Sequence, residues 1–174
     1  MFISHLITKR LFAVLMPVFL TACYDTDYEA KSGQTISQQS NLPVLEVYKR
    51  ATCGCCKKWI SHLEENGFHT ATHNKSNLSS LKAEKGIKPQ FQSCHTAISK
   101  DGYVFEGHIP AKFIQKFLAE KPEGAIGLAV PAMPLGSPGM ESGDDFSPYT
   151  ILMLMADGSS KTYAQIKTLQ EQYQ

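Results

Sequence analysis

The sequence predicts a mixed α/β domain, because short β-rich runs alternate with segments of helical periodicity. The clearest strand candidate is the run 42–48, in which β-favouring residues predominate. After a cysteine-rich turn, Trp59, Ile60 and Leu63 recur at helical spacing, and Gly67 supplies a stop for that helix. A strand, a turn and a helix therefore begin the domain, and this order favours an α/β class.

The order of the remaining predicted elements indicates which α/β fold the domain adopts. We predict a second strand at 68–73, a short helix capped by Asn77 and ended by Gly86, a hairpin of 93–99 with 103–106, and a helix starting at Pro110. The order β-α-β-α-β-β-α is that of a thioredoxin-like domain, in which helices flank a mixed central sheet. Beyond it, a loop rich in Pro, Gly and Met precedes a final hairpin of 149–155 with 161–166, which turns at Asp157-Gly158.

The N-terminus has the pattern of an export signal. Two basic residues precede the apolar run 11–20, which is about half the roughly 20 residues that span a bilayer, so we expect a cleaved signal peptide over residues 1–22. Leu20-Thr-Ala-Cys23 resembles the lipobox of bacterial lipoproteins, in which the Cys is acylated. The alternative is an ordinary signal peptide with a chance Cys. We predict a periplasm-facing protein anchored through Cys23, and Tyr24 after it favours the outer membrane.

A tether and one folded domain follow the predicted anchor. Residues 23–41 are polar without apolar periodicity and are expected to be flexible, whereas residues 42–174 form the domain. The mature chain of about 150 residues is long enough for one domain with a real core. A net charge of +1 gives no electrostatic footprint for nucleic acid, and the membrane contact expected is the lipid anchor alone.

Four cysteines carry the functional prediction. Cys53, Cys55 and Cys56 lie between the first strand and the first helix, and Cys94 lies at the start of the predicted third strand. In a thioredoxin-like fold these two places lie close together, so we expect the four sulfurs to converge. Unpaired N–H groups and the dipole at a helix N-terminus stabilise thiolates and can lower a cysteine pKa from about 8.5 into roughly the 3.5–7.5 range.

Four converging thiolates predict a soft metal. Thiolates select Cu(I), Zn(II) or iron–sulfur clusters over hard cations. Adjacent Cys55 and Cys56 suit a bridged Cu(I) cluster better than tetrahedral zinc, whose ligand pairs are usually separated by about two to four residues. Zinc remains the alternative cofactor, and an iron–sulfur cluster ranks third. Without metal, the four cysteines could also oxidise to two disulfides.

Two methionines and two histidines are candidates for additional ligands or for residues that orient the ligands. Met133 and Met140 lie in the Pro/Gly loop, where packing is slightly favoured over ligation. His95 directly follows Cys94, so strand alternation is expected to point it to the opposite face. His108 precedes a predicted helix and could approach the site or cap that helix. No metal role is predicted for His62, on the exposed face of the first helix, or for His69 and His73, on a strand.

Four motifs resemble the CopG-type family of bacterial copper-resistance proteins. They are 47–59 around the Cys-x-Cys-Cys run, Ser93-Cys-His-Thr-Ala97, Glu106-Gly-His-Ile-Pro110 and the loop 127–140. The resemblance implies a thioredoxin-like fold, periplasmic copper handling and a Cu(I) cluster bridged by the Cys-x-Cys-Cys cysteines and one distant cysteine. Those ligands correspond here to Cys53, Cys55, Cys56 and Cys94.

Two functional classes follow from these residues. The first is a copper-binding protein that sequesters, transfers or redox-cycles copper in copper resistance and homeostasis, with copper ions and other periplasmic copper-resistance proteins as candidate partners. The second is a thiol–disulfide oxidoreductase in which Cys53 and Cys56 form the redox pair. An oxidoreductase needs neither Cys55 nor Cys94, whereas a metal cluster uses both. The binding role is therefore favoured.

Overall fold

The computed structural model describes residues 42–173 of the chain. The predicted signal peptide, the lipobox Cys23 and the tether lie outside these residues. Within them, seven strands and three α-helices form a mixed α/β fold, as the sequence predicts. The strands are β1 (Val44–Lys49), β2 (His69–Asn74), β3 (His95–Ser99), β4 (Val104–Glu106), β5 (Ala125–Ala129), β6 (Tyr149–Met155) and β7 (Ser160–Ile166), and the helices are α1 (Gly54–Glu65), α2 (Ser79–Glu84) and α3 (Ala111–Glu120).

The strands form one mixed sheet in the order β2-β1-β3-β4-β5-β6-β7. Strand β1 is parallel to β2 and antiparallel to β3, and β4 is antiparallel to β3 and parallel to β5. Strands β5, β6 and β7 pair in antiparallel fashion. The predicted hairpins are both present, and the second one extends the sheet instead of standing apart from it.

The hydrophobic core lies where α1 and α3 pack against the sheet. Trp59 and Leu63 of α1 are fully buried, as are Ile114 and Phe117 of α3, so both helices place their predicted apolar stripe on the core. The Trp59 Nε1–H also donates a hydrogen bond to the Ile109 carbonyl at 2.8 Å. This bond fixes the N-terminal half of α1 against the segment that leads into α3.

Strand β5 is the element that the sequence prediction missed. It lies between β4 and β6, where the prediction had only a loop, and Gly127 in its middle weakens the sequence pattern of a strand. A Cβ atom at Gly127 would lie 1.8 Å from the Val104 carbonyl oxygen. The glycine therefore permits a close approach of two strands that no larger residue allows.

His62 has a structural role that the sequence prediction did not assign. Its Nε2 accepts a hydrogen bond from the Ala111 N–H at 3.0 Å, and Pro110, the residue before α3, makes no side-chain capping bond. His62 thus satisfies one of the free N–H groups at the start of α3. Burial lowers the pKa of His62, which favours the neutral imidazole that this bond requires.

No helix between residues 42 and 173 combines the length and the apolar character that crossing a membrane requires.

The first prediction tests the close approach at Gly127. Gly127→Ala forces a Cβ against the Val104 carbonyl, and overpacking of this kind costs about 1–3 kcal/mol of the free energy of unfolding. Gly67→Ala is the matched control, because Gly67 also has a positive φ, of +83°, but its added Cβ meets nothing within 4 Å. Urea unfolding should give a clearly larger loss for Gly127→Ala. Equal losses would show that backbone conformation, and not the contact, sets the cost.

Candidate metal centre

Three of the four predicted cysteines lie at the start of α1. Cys53 is the N-cap residue of this helix, and its sulfur accepts a hydrogen bond from the Cys56 N–H at 3.3 Å. Cys55 is partly exposed in the first turn, and Cys56 is fully buried. The end of β1 therefore delivers three sulfurs to the positive end of the α1 dipole.

Cys94 completes the group from the other side. It immediately precedes β3, whose first residue, His95, is paired with Lys49 at the end of β1. The Cys94 sulfur lies 3.4 Å from that of Cys56, and the four cysteine sulfurs all lie within 4.8 Å of one another. The structure thus brings together the four sulfurs that the sequence predicted to converge.

The four sulfurs are not in the same oxidation state. Cys53 and Cys56 form a disulfide, whereas Cys55 and Cys94 are free thiols. The metal-free protein was expected to be able to form two disulfides; the structure contains one, and it joins the two ends of the Cys-x-x-Cys motif. The sulfurs of Cys53 and Cys56 can bind metal as thiolates only after this bond is reduced.

The Cys94 thiol is strongly biased towards its protonated form. Burial and the neighbouring Cys55 raise its pKa to about 12. The lowering expected for cysteines at a helix N-terminus does not apply to Cys94, which lies before β3 and not at the start of α1. A metal that binds Cys94 must displace its proton, so binding at this sulfur becomes stronger as pH rises.

A buried ion pair holds the residue that precedes Cys94. Lys82 of α2 and Glu106 of β4 are both buried and form a salt bridge. Lys82 Nζ donates to the Ser93 carbonyl at 2.8 Å, and the Ser93 N–H donates to Glu106 Oε1 at 2.6 Å. The other carboxylate oxygen, Oε2, accepts from the Thr96 hydroxyl at 2.6 Å. The pair therefore binds both the N–H and the carbonyl of Ser93, and this fixes the position of the next residue, Cys94.

Both candidate histidines contact Cys94. The Cys94 sulfur lies 3.2 Å from His95 Nδ1 and 3.1 Å from His108 Nε2. His95 is thus not directed away from Cys94 as expected, because Cys94 lies before the strand and strand alternation does not apply to it. His108 Nδ1 lies 2.8 Å from the Pro138 carbonyl, which can only accept, so Nδ1 carries the proton and Nε2 presents its lone pair to Cys94. Burial lowers the pKa of both histidines and favours their neutral forms.

The Pro/Gly loop covers the start of α1. A Cβ at Gly139 would lie 2.7 Å from the Cys55 carbonyl oxygen, so only glycine allows the loop to come this close. Met140 follows this contact and is partly buried. Met133 is 48% exposed and lines a cleft of about 550 Å³ together with Cys53 and Cys94. The structure therefore places Met133 in the cleft that leads to Cys53 and Cys94, and Met140 next to the contact between the loop and α1.

The remaining histidines of residues 42–173 lie on β2, as predicted. His73 pairs with Glu46 of β1 and stacks on Tyr48, with ring centroids 4.7 Å apart. His69 is the first residue of β2. Neither belongs to a cluster of metal-ligating atoms among the described residues.

Comparison with known proteins connects this site to copper resistance. The family model DUF411, described as a protein of unknown function, matches residues 91–140. A solved structure named "Copper resistance protein copG- Form 1" is 40% identical, with a TM-score of 0.67, and the match covers 71% of this chain and 97% of that one. Its Form 2 is also 40% identical, with a TM-score of 0.68 and coverage of 72% and 99%. No curated protein sequence matches the chain.

The second prediction tests the ion pair that grips Ser93. Glu106→Gln leaves the Lys82 ammonium buried without a counter-charge, and removing one partner of a buried pair costs about 3–5 kcal/mol of the free energy of unfolding. The double variant Lys82→Met with Glu106→Gln should lose less than the sum of the two single losses. Urea unfolding of all three variants gives the coupling.

The control uses an exposed pair on the same fold. Lys121 and Asp101 lie 2.6 Å apart and are about half exposed, so Lys121→Met and Asp101→Asn should change stability little and show weak coupling. Strictly additive losses at Lys82 and Glu106 would contradict the proposed mutual dependence of the buried pair.

Proposed function

This chain belongs to the CopG-type copper-resistance family, and we propose that it binds several Cu(I) ions on its four clustered cysteines. The resemblance stated from four sequence motifs is confirmed by the two solved structures. The observation that carries the proposal is the convergence of Cys53, Cys55, Cys56 and Cys94, whose sulfurs lie within 4.8 Å of one another. Thiolates are the ligands that soft Cu(I) prefers.

Charge favours a cluster over a single ion. Four thiolates carry four negative charges, and one Cu(I) supplies one positive charge. Sulfurs that lie this close to one another, with Cys56 fully buried, cannot ionise together without nearby positive charge. Several Cu(I) ions that share the thiolates supply it, and adjacent Cys55 and Cys56 suit such bridging. Tetrahedral zinc is the less favoured occupant, because its ligand pairs usually have intervening residues.

The Cys53–Cys56 disulfide makes assembly of this cluster depend on reduction. Opening the bond consumes two electrons and two protons and yields two thiols. Cu(I) then replaces the thiol protons on all four cysteines. The proposed copper-resistance role is therefore sequestration, transfer or redox handling of copper by the reduced protein.

A thiol–disulfide oxidoreductase is the second candidate function, and the disulfide itself favours it. Cys53 and Cys56 occupy the N-terminus of the helix that follows β1, where the helix dipole stabilises a thiolate.

We also propose the thioredoxin-like class for β1 to β4 and the helices. The order β2-β1-β3-β4, with β3 antiparallel to both of its neighbours and β2 parallel to β1, supports that class.

The proposed location is the periplasmic face of a bacterial membrane, with the outer membrane favoured. The support is in the sequence, where a short apolar run ends in Leu20-Thr-Ala-Cys23. A protein that binds copper through thiols and is held at a membrane surface can intercept the metal there. Other periplasmic copper-resistance proteins are the candidate partners.

The third prediction concerns copper stoichiometry. The reduced protein, titrated with Cu(I) under anaerobic conditions, should bind more than one ion per chain cooperatively, with copper–copper distances visible by X-ray absorption. Cys55→Ser and Cys94→Ser should each weaken binding by more than the roughly 10- to 100-fold cost of losing an outer partner of a metal ligand. Met133→Ala and Met140→Ala serve as controls and should have smaller effects than any of the four cysteine substitutions.

Three outcomes count against the copper cluster. One is a single Cu(I) per chain, and another is tighter binding of one tetrahedral Zn(II). The third is robust disulfide reductase turnover, in an insulin assay, that survives both Cys55→Ser and Cys94→Ser. This last result would favour the oxidoreductase, which needs only Cys53 and Cys56.

The fourth prediction concerns the lipid anchor. Mass spectrometry of the N-terminus of protein isolated from bacterial membranes should find Cys23 carrying two or three acyl chains, since one chain gives only marginal membrane binding. Cys23→Ala should release the protein from the membrane fraction. An unmodified N-terminus within residues 24–35 would exclude the anchor and leave the copper proposal untouched.

A further inference from the structure

Cys94 belongs to a second group of potential ligands besides the four cysteines. His95 Nδ1 and His108 Nε2 lie 3.2 Å and 3.1 Å from its sulfur, and the three donor atoms all lie within 4.8 Å of one another. Both imidazoles are fully buried, so their donor atoms face the thiol and not solvent. The group offers one sulfur and two nitrogens to a single ion.

The disulfide separates this group from the cysteine cluster. Cys53 and Cys56 are bonded to each other, which withdraws two of the four sulfurs from metal binding. Cys94 is a free thiol in the same structure. The mixed group of Cys94, His95 and His108 is therefore intact in the oxidation state in which the four-thiolate cluster cannot form.

Both imidazoles are held in place by neighbouring groups. The Pro138 carbonyl binds the Nδ1–H of His108 and leaves Nε2 unprotonated, the form in which imidazole binds metal. The ring of His95 packs on Trp59, with centroids 4.2 Å apart. These contacts direct one nitrogen of each ring towards Cys94.

His95 carries one buried polar atom without a hydrogen-bond partner. Its Nε2 is buried and has no hydrogen-bond partner among the described residues. A buried polar group without a partner costs about 1–3 kcal/mol, and such groups call for a functional reason. An ion at Nδ1 leaves Nε2 protonated and still without a partner, so the metal–nitrogen bond would have to outweigh this cost.

We propose that Cys94, His95 and His108 form a mononuclear site for Cu(II) that is available when Cys53 and Cys56 are oxidised. A trigonal set of two histidines and one cysteine is a typical Cu(II) environment, whereas the four thiolates suit Cu(I). With one thiolate and two neutral imidazoles as ligands, the Cu(II) complex carries a net charge of about +1. The choice of copper rests on the proposed function; the site itself rests on the three side chains.

The geometry permits binding with small movements. In a trigonal site, a metal at about 2.0 Å from nitrogen and about 2.3 Å from sulfur holds such atoms roughly 3.7 Å apart, so the observed separations need to widen by about half an ångström. Cys94 also lines the cleft of about 550 Å³ that contains Met133. An ion can therefore approach the buried histidines from the side of Cys94.

The test uses a full chain that retains Cys94 as its single thiol. Replacing Cys23, Cys53, Cys55 and Cys56 by Ser removes the other four of the five cysteines and prevents any internal disulfide. Titration with Cu(II) should give one bound ion per chain, an intense thiolate-to-copper absorption band in the visible and hyperfine coupling to two nitrogens by electron paramagnetic resonance. This readout requires no substitution of a buried histidine.

Substitutions in the same single-thiol chain test each ligand. His95→Gln and His108→Gln, checked for folding by circular dichroism, should each weaken Cu(II) binding at least tenfold and remove one nitrogen coupling. His73→Gln is the control, because His73 pairs with Glu46 on β2 and should leave the spectrum unchanged. Absence of the absorption band, or coupling to no imidazole nitrogen, would overturn the proposal.

The two copper proposals fail separately. If the reduced wild-type chain binds several Cu(I) ions and the single-thiol chain shows no thiolate-bound Cu(II), the mixed site is wrong and the cluster stands. If the single-thiol chain binds Cu(II) as described and the reduced wild type takes up no Cu(I), the cluster is wrong and the mixed site stands.

Discussion

The site depends on one constraint of the sheet, which is the antiparallel pairing of β1 with β3. Because Lys49 at the end of β1 is opposite His95 at the start of β3, the turn into α1 and the loop before β3 meet at the same edge. Cysteines 38 positions apart in the sequence thereby bring their sulfurs to 3.4 Å. The histidines, the gripped Ser93 and the covering loop are all arranged around this meeting point.

Electrostatics explains why this arrangement suits a cation. Cys94 is held as a neutral thiol by burial, and the two adjacent histidines are biased towards their neutral forms. Of the buried charges near the site, Lys82 and Glu106 neutralise each other, and Lys49 donates hydrogen bonds to the Arg50 carbonyl and Asn74 Oδ1. Cys94, His95 and His108 thus offer donor atoms that carry little net charge, until a metal ion displaces the thiol proton. The disulfide adds a second control, because it withdraws Cys53 and Cys56 from metal binding and leaves Cys55, Cys94 and the two histidines available.

Much of this could be predicted from the sequence, because the information is local. Apolar spacing placed α1 and α3, and the three clustered cysteines marked the turn between β1 and α1. What could not be predicted depends on contacts between distant segments. Strand β5 contains Gly127, which reads as a break until its closeness to Val104 is seen. Likewise, the capping of α3 by His62 joins residues 49 positions apart, and the Lys82–Glu106 pair joins α2 to β4.

The hydrogen bond between the Pro138 carbonyl and His108 has a kinetic consequence. The bond couples the motion of His108 to that of the Pro/Gly loop. The imidazole can turn away from Cys94 only if it breaks this bond or moves together with the loop. Gly139, the next residue, is seated against the Cys55 carbonyl, so the same displacement uncovers the start of α1. The residence time of an ion bound at His108 would then depend on how often this loop moves away from the site.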